Sequence, residues 1–573
     1  MSKDKNETPK KRSWLKRLFK FSVFLTLFFA VIFTVMANLG GANDMYRSAV
    51  EEFVSEATGY PASVKTLNNM TFFPEVGFDF EGVELFESAD NKASVGSAKK
   101  ISIALSFWDM AFQTGKLSQL HIEGVEAQAG VFMDKAVNIE LATIKEEEGK
   151  LPKLFVTGHI DKYPVRATMD MKLYGTEKNK AYGFDDDRAF ELELGEVSAK
   201  GTARNKVTGT IFEDLDISLS GAKVATGHVS MSNNFEGVLK VEEYGSVLSP
   251  NLKIEFDEKP TIISGEISSA ALRMGDISDG SRFRRLIDYL EAALLVKKKN
   301  APLDFSKANL DVKLDAEKFY AGDVNLGPLK LDIDMVDGVL KINPEGSSIS
   351  SGKIKGLVSI DASASPAKLD ININVKNMNY GLLQDGVSGS GNALVKLKAT
   401  GKTMDAFKSN LQGQFSFTGG EGKFGSALAN LWGRGVVNTI LPSFGEGEAL
   451  SVNCAIVDFN IENSIAKSNA LFIDGTHVTF AGDGTYDIAN DNLDIVLKPK
   501  QKEISIGDLS SALQIKGPLS KPSVSPSLLG LGKKVGGLLL GAVNPAFLAF
   551  SFADLGLSDS HPCASYIKAA EEK

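Results

Sequence analysis

The spacing of hydrophobic and polar residues changes several times along this chain, and each change marks a part of it. Phe21–Asn43 is uncharged over 23 residues, and the first 17 of them are almost wholly apolar. At 1.5 Å rise per residue, such a stretch spans a hydrocarbon core about 30 Å thick. It is expected to be a transmembrane helix. Over Tyr46–Thr58, Val50, Phe53, Val54 and Ala57 then fall at helical spacing. Gly59-Tyr60-Pro61 ends that helix, glycine suiting a C-cap and proline barring continuation.

From Ser63 the period becomes two, the signature of half-buried strands. Val76, Phe78 and Phe80 alternate with Gly77 and Asp79, Val83 and Leu85 flank Glu84, and Ile101, Ile103 and Leu105 repeat the pattern. Phe107–Phe112 reads as a one-turn helix, after which Leu117, Leu120 and Ile122 begin another strand. Residues 150–275 continue as alternating segments punctuated by Gly, Asn and Asp. The acidic run Asp185–Asp187 lacks the spaced ligands and turn glycine of a calcium loop and reads as a solvated turn. Ser281–Lys299 breaks the β pattern. Phe283, Leu286, Ile287, Leu290 and Leu294 share a helix face opposite Arg282, Arg285, Asp288 and Glu291, with Lys297–Lys299 placed against the C-terminal dipole. This helix is expected to pack on a sheet; a membrane surface or partner is the other use of such a stripe.

The second half alternates most cleanly. Leu310, Val312 and Leu314 are interleaved with Asp311, Lys313 and Asp315, and Leu329, Leu331, Ile333 and Met335 with Lys330, Asp332 and Asp334. Asp337-Gly338 then turns into Val339–Ile342, a strong hairpin signal. Ile371, Ile373 and Val375, then Phe415 and Phe417, then Val457, Phe459 and Ile461 repeat the theme. Each strand has one apolar and one wet face. Two sheets could close such faces on each other, or one long sheet could curl and leave its apolar face as a groove. Alternation alone leaves both open. If a groove forms, its candidate lining is Leu310, Val312, Leu314, Leu329, Leu331, Ile333, Met335, Ile371, Ile373, Val375, Phe415 and Phe417.

Charge sets the orientation. The formal net charge is −9, yet the first twenty residues hold eight Lys or Arg against Asp4 and Glu7, so the rest carries −15. The positive-inside rule keeps the basic tail in the cytoplasm and exports the bulk. A cleaved signal peptide is the other reading, but the apolar stretch exceeds the usual core of about 7–15 residues. An acidic exported body argues against nucleic acid, whose phosphates demand basic patches. With 54 Gly and 18 Pro, many turns between short strands are favoured over disorder. Nothing in the sequence brings Cys454 and Cys563 together, so their pairing is left open with the balance against it.

Taken in order, the helix, ATGYPASVKTL, two strands and AKKISIALSFWDMAFQTGKLSQLHIEGVEAQAGVF resemble the amino-terminal module of AsmA-like proteins. In that module a membrane anchor precedes a Thr-Gly-Tyr turn, a strand pair, a short helix and a Gly-x-(Leu/Ile) connection. Thr58, Gly59, Tyr60, Ser106–Phe112 and Gly115 occupy those places. Residues 411–525 resemble the carboxy-terminal module. The marks are a strand ending in Gly-Gly, then Gly-Lys-Phe-Gly, an apolar helix over Ser426–Leu441, and a hairpin at Asp474-Gly475. A Gly-x-Gly-x-Tyr-Asp strand over Gly482–Asp487 and a final Ile-x-Gly-x-Leu-x-x-Pro at Ile515–Pro522 complete it.

The expected fold is mainly β: a long curved antiparallel sheet forming a gutter-like groove, with an N-terminal transmembrane helix and a few short helices. Its parts are a basic tail (1–20), the anchor (21–43), an N-terminal β module (44–280), the amphipathic helix (281–300), a C-terminal β module (301–524) and an apolar Gly-rich tail (525–573). About 25 strands stacked at about 4.8 Å would run roughly 120 Å. Ser527–Phe552 is apolar but interrupted by Lys533, Lys534 and Pro545. It is expected to pack on the last strands or to touch a membrane or partner.

No reacting constellation accompanies this architecture. His121, His159, His228, His477 and His561 are scattered, and CxxC is absent. Gly401-Lys402-Thr403 lacks the earlier glycine of a P-loop, Gly530-Leu531-Gly532 follows no strand, and Ser390 between Gly389 and Gly391 makes no nucleophile elbow. An enzyme is not expected, and no cofactor or metal is called for. The AsmA resemblance implies an architecture similar to chorein-type bridge-like lipid-transfer proteins. It also implies a role in moving phospholipid between the inner and outer membranes of a bacterium and in outer-membrane integrity. The expected partners are phospholipid, the inner membrane and, through the tail, the outer membrane or an envelope protein. The alternative is a non-transporting periplasmic scaffold that influences assembly of outer-membrane proteins.

Overall fold

The computed structural model describes residues 43–71, 75–88, 93–107, 117–146, 150–174, 181–183, 187–206, 209–232, 234–255, 260–295, 302–379, 387–424, 450–476, 478–502, 512–519, 522–526 and 563. The basic tail, the anchor up to residue 42, the one-turn helix beyond Phe107, Asp185, Lys297–Lys299, the helix expected at Ser426–Leu441 and the tail over 527–562 lie outside the described residues. Among the described residues no helix is long and apolar enough to cross a membrane. They form thirty-one strands and four helices: α1 (Asn43–Thr58), α2 (Met274–Ile277), α3 (Arg282–Leu294) and α4 (Met404–Ser409). Two compact units result, one from residues 43–232 with 282–295, the other from the remainder.

The first unit holds β1 (Ala62–Thr71), β2 (Glu75–Phe86), β3 (Ser94–Ser106), β4 (Leu117–Ala127), β5 (Val137–Lys145), β6 (Lys153–Ile160) and β7 (Tyr163–Asp170). It continues with β8 (Lys172–Tyr174), β9 (Ala181–Gly183), β10 (Arg188–Leu194), β11 (Val197–Lys206), β12 (Gly209–Leu219) and β13 (Ala222–Met231). Strands pair antiparallel in chain order, except that β7 pairs directly with β10 while the β8–β9 hairpin joins β4 through Leu117 and Tyr182.

Helix α1 stops where the sequence predicts: Gly59 takes φ +79° and donates its N–H to the Ser55 carbonyl at 2.8 Å. Its side chains then reach β1. Ser55 Oγ accepts the Ala62 N–H and Glu51 Oε1 accepts the Val64 N–H, both at 2.8 Å. Val50 and Val54 pack against Val64, Phe80, Val83 and Ala98.

That packing exposes a change of phase. Phe80 and Val83 are three residues apart, yet both touch the same cluster, as do Ala98 and Ile101. An ideal strand would send them to opposite faces. Gly82 at φ +65° and Gly124 at φ +64° supply the irregular step. A Cβ on Gly82 would lie 2.8 Å from Lys65 Cβ.

At the other end of this unit, α3 lays Phe283, Leu286, Tyr289 and Leu290 on Ile217, Val197, Leu219 and Val224. The stripe is rotated from the expected one. Ile287 is 39% exposed, while Tyr289 turns inward, its Oη accepting the Glu196 N–H at 2.9 Å. That bond and the edge-on contact with Tyr163 satisfy the tyrosine at both its polar and apolar ends.

The second unit begins with β14 (Asn234–Val241), β15 (Val247–Glu255), β16 (Thr261–Ser269), β17 (Leu272–Arg273), β18 (Ala308–Ala321), β19 (Val324–Val336), β20 (Val339–Asn343), β21 (Ser348–Ile349) and β22 (Gly352–Asp361). It ends with β23 (Ala367–Asn379), β24 (Val387–Gly401), β25 (Gln412–Phe424), β26 (Leu450–Glu462), β27 (Ile465–Gly475), β28 (Val478–Asp487), β29 (Asn492–Gln501), β30 (Leu513–Gly517) and β31 (Ser523–Pro526). Among the described pairings only β18 runs parallel to its neighbours β16 and β17. A parallel pair needs a crossover connection. Here the turn at its start is fastened by Asp276, which is fully buried and accepts the Tyr244 and Ser246 N–H groups at 2.9 Å each. The Asp337-Gly338 hairpin forms as expected, with φ +51° and +80° closing Val336 onto Val339. Asp474, expected in a turn, is instead a buried strand residue that accepts from Asn453 and Thr479 and pairs with Lys502 at 2.7 Å.

Two packing features complete this unit. Phe407 of α4, with Leu303 and Phe305, packs against Ile360, Ala367, Ala399, Leu411 and Ile461 along one side of the sheet. The helix starts at Thr403, whose Oγ1 accepts the Ala406 N–H. On the opposite face, Cys454 and Cys563 form a disulfide and are buried with Ile456, Ala470 and Phe472. The pairing left open by the sequence is therefore made.

Three outcomes follow. Gly82→Val should cost about 1–3 kcal/mol of local stability, seen as faster amide exchange in β1–β4; unchanged exchange would show the left-handed step to be dispensable. Phe407→Ala should cost about 3–5 kcal/mol and loosen β24–β27, whereas a change confined to α4 would deny it a core role. Reduction should destabilise β26–β28 by about 2–5 kcal/mol in the native chain and leave Cys563→Ser indifferent to reductant.

Candidate functional site

Directly paired residues in neighbouring strands project to the same face of a sheet, so register decides which side chains share a surface. In the first unit one row runs Leu67, Phe80, Ile101, Ile122, Ala142, Val156, Ala167, Leu192, Ala199, Ile217, Ala225, one residue from each of eleven strands. A second row beside it runs Val64, Val83, Ala98, Val125, Ile139, Gly158, Val165, Leu194, Val197, Leu219, Ala222. Neither contains a charge. The rows lie three residues apart on β1–β5, two apart from β6 to β12, and three apart again on β13, where the register shifts beside Ile217. The bulge on β5 between Ile139 and Leu141 absorbs the difference.

The second unit carries a longer row. Phe235, Leu252, Gly265, Val312, Ile333, Ile342, Val358, Ile371, Leu397, Gly413, Ile461, Ala466, Tyr486, Leu493 and Gly517 are paired in sequence across fifteen strands. Fourteen spacings of about 4.8 Å make this roughly 67 Å measured along the ladder. Tyr486 is its one polar side chain, and the Oη bonds Asp491 at 3.0 Å.

All twelve candidate lining residues fall on this face. Leu310 faces Met335, Val312 faces Ile333, Leu314 faces Leu331, and Leu329 faces Ala316. Ile371, Ile373 and Val375 face Leu397, Val395 and Ala393, the last two of which face Phe415 and Phe417 on their other side. Val312, Met335 and Val375 are buried, and the other nine are half-buried. On β23 the order is informative: Ala367 and Val375 are buried, while Leu369, Ile371 and Ile373 between them are half-buried. On β24, Gly391 and Ala399 likewise bracket Ala393, Val395 and Leu397. The partly open part is thus three side chains wide, about 13 Å at 3.3 Å per residue.

The opposite face is wet and self-neutralising. Lys330 reaches Asp315 at 2.7 Å, Lys398 reaches Asp370 at 3.4 Å, and Gln414 donates to Asp458 at 2.9 Å. The hydrogen bond it donates to the Asp315 carboxylate holds the Lys330 ammonium above its ordinary pKa. These charges have partners across the strand, so the sheet places its polar residues without touching the apolar rows.

Alternation in the sequence marks the second-unit face well and the first-unit face poorly, because the phase change at Gly82 and Gly124 breaks the period. The α4 wall and the disulfide patch carry fainter signals: a Thr403 cap before a buried Phe407, and the unbroken apolar runs Cys454–Val457 and Ala470–Ile473. Such runs mark strands buried on both faces. Among the described residues no group of three or more His, Cys, Asp or Glu is arranged to hold a metal ion.

The AsmA family model matches residues 290–471, which include every one of the twelve lining residues. The AsmA family protein YhjG of Escherichia coli (strain K12) is 23% identical over 246 residues, covering 42% of this chain and 35% of that protein. The chain thus spans about a third of the length of the curated relative it matches. No solved structure matches. Residues 290–471, which carry the middle of the long apolar row, thus match the AsmA family, and the chain is similar to a named member of it.

Proposed function

We propose that this protein is a carrier of phospholipid between the inner and outer membranes, the acyl chains lying on the apolar sheet face and the head groups meeting water. The observation that carries the reading is the fifteen-strand row without a charged residue. Each methylene buried there contributes about 0.8 kcal/mol, so a surface that stays apolar from strand to strand lets a chain advance without losing its burial at once. A charge in the row would interrupt that surface with a desolvation barrier. The half-buried strip on β23 and β24 is what such a surface requires, since a sealed core would leave no room for cargo.

In this reading Phe21–Asn43 tethers the protein to the inner membrane with its N-terminus cytoplasmic and its body periplasmic, where it supports outer-membrane integrity. The Cys454–Cys563 disulfide supports the exported side, because such bonds persist in oxidising compartments and are rare in the cytosol. The protein acts by binding and transfer; the reading assigns no reacting group, metal or cofactor.

The test is to purify the full-length protein from membranes and identify co-purifying lipid by mass spectrometry. Phospholipid is expected with the native chain. Leu331→Asp combined with Ile333→Asp should lower it by roughly ten-fold or more, a buried charge costing several kcal/mol. Asn372→Asp, on the wet face, should leave it unchanged. A lipid-free protein that takes up no fluorescent phospholipid would overturn the carrier reading in favour of a scaffold with a dry core.

A further inference from the structure

The Gly-x-Gly-x-Tyr-Asp motif at Gly482–Asp487 lies on β28, where the apolar face of the second unit changes character. Gly482, Gly484 and Tyr486 share that face and pair in β29 with Leu497, Ile495 and Leu493. Two glycines leave the middle of the strand without side chains, and the next strand takes the space. A Cβ on Gly482 would lie 2.5 Å from Leu497 Cδ2, and one on Gly484 would lie 2.7 Å from Ile495 Cγ1. In a strand, glycine suits a site where a neighbour approaches this closely.

Tyr486 completes the filling. Its Oη donates to Asp491 Oδ1 at 3.0 Å, and the same oxygen accepts the Leu519 N–H at 3.0 Å. Tyr486 and Ile495 each pack against two clusters, one containing Phe407, Phe459 and Leu471, the other Leu493, Leu497 and Leu513. The face closes accordingly. On β23 three successive side chains are half-buried between two buried ones. On β26 Val457 alone is half-buried between buried Ala455 and Phe459, and on β29 Ile495 alone between buried Leu493 and Leu497. On β30 both Leu513 and Ile515 are buried. A guest chain gains burial only where the surface is uncovered. Entering a close-packed stretch means displacing side chains already in contact.

The geometry points to β28 as the stop of the cargo strip in the second unit. Acyl chains lie over β18–β25, and Tyr486, Ile495 and Leu497 wall off the face beyond. The assignment rests on the carrier reading and deepens it: the row is apolar throughout, but only its open part takes cargo, so lipid does not pass across β29 and β30.

The test loads the full-length protein from phosphatidylethanolamine vesicles containing a phospholipid with a photoreactive diazirine in its acyl chain, then maps the labelled residues by mass spectrometry. Label is expected on β18–β25, with β28–β30 at background. Ile495→Ala should bring label onto β29, and Tyr486→Ala combined with Ile495→Ala should spread it over β28–β30. Native labelling of β28–β30 as strong as that of β23 would overturn the stop and leave the carrier reading standing. So would variants that stay folded, by an unchanged unfolding midpoint, and keep the native pattern. Should the double variant fail to fold, the native map and the milder Ile495→Ala decide. A native protein that takes up no lipid would overturn both readings.

Discussion

The constraint on which the rest of this structure depends is the register of its backbone ladders. Side chains alternate with period two, so a slip of one residue in any strand would send that strand's apolar set to the wet face. Rows of eleven and fifteen strands survive only because every successive pairing is kept in step. Local devices hold them there: the left-handed Asp337-Gly338 turn, the glycines that change phase on β2 and β4, and the bulge on β5 that restores it. Hydrophobic burial selects the face, but hydrogen-bonded register makes the face continuous.

Legibility in the sequence followed the regularity of that register. Leu329–Met335 and Ile371–Val375 alternate without interruption, and the structure places them on one face as the pattern predicts. The first unit resisted the same reading because Phe80 and Val83 belong together at a spacing that no ideal strand allows. Helical periodicity puts Ile287 in the buried stripe of α3, yet Tyr289 takes the inward place. A helical wheel cannot see the Glu196 amide that the tyrosine hydroxyl accepts. Cys454 and Cys563 are separated by 109 residues, and only the fold brings them together.

The two faces of the second unit are unlike each other along most of its length and alike at one place. From β18 to β25 polar pairs such as Asp315–Lys330 cover one side and aliphatic rows the other. At β26 and β27 the wet face gives way to Cys454, Ile456, Ala470 and Phe472, sealed with Cys563. Strands buried on both sides resist local opening more than strands with one wet face. The family match ends within β27, in this doubly buried part.

The hydrogen bonds from α1 to β1 carry a further consequence. An outer strand ordinarily offers a row of free amides and carbonyls to any other extended chain, which invites misassembly. Glu51 and Ser55 occupy two of those amides with side chains from the chain's own preceding helix. The sheet is thereby given a stop: a neighbouring molecule cannot add a strand over Ala62–Val64 without first dislodging α1. The same two bonds make the helix and the strand a single mechanical piece, so a pull or twist on α1 passes into the backbone of the sheet rather than into a slack linker.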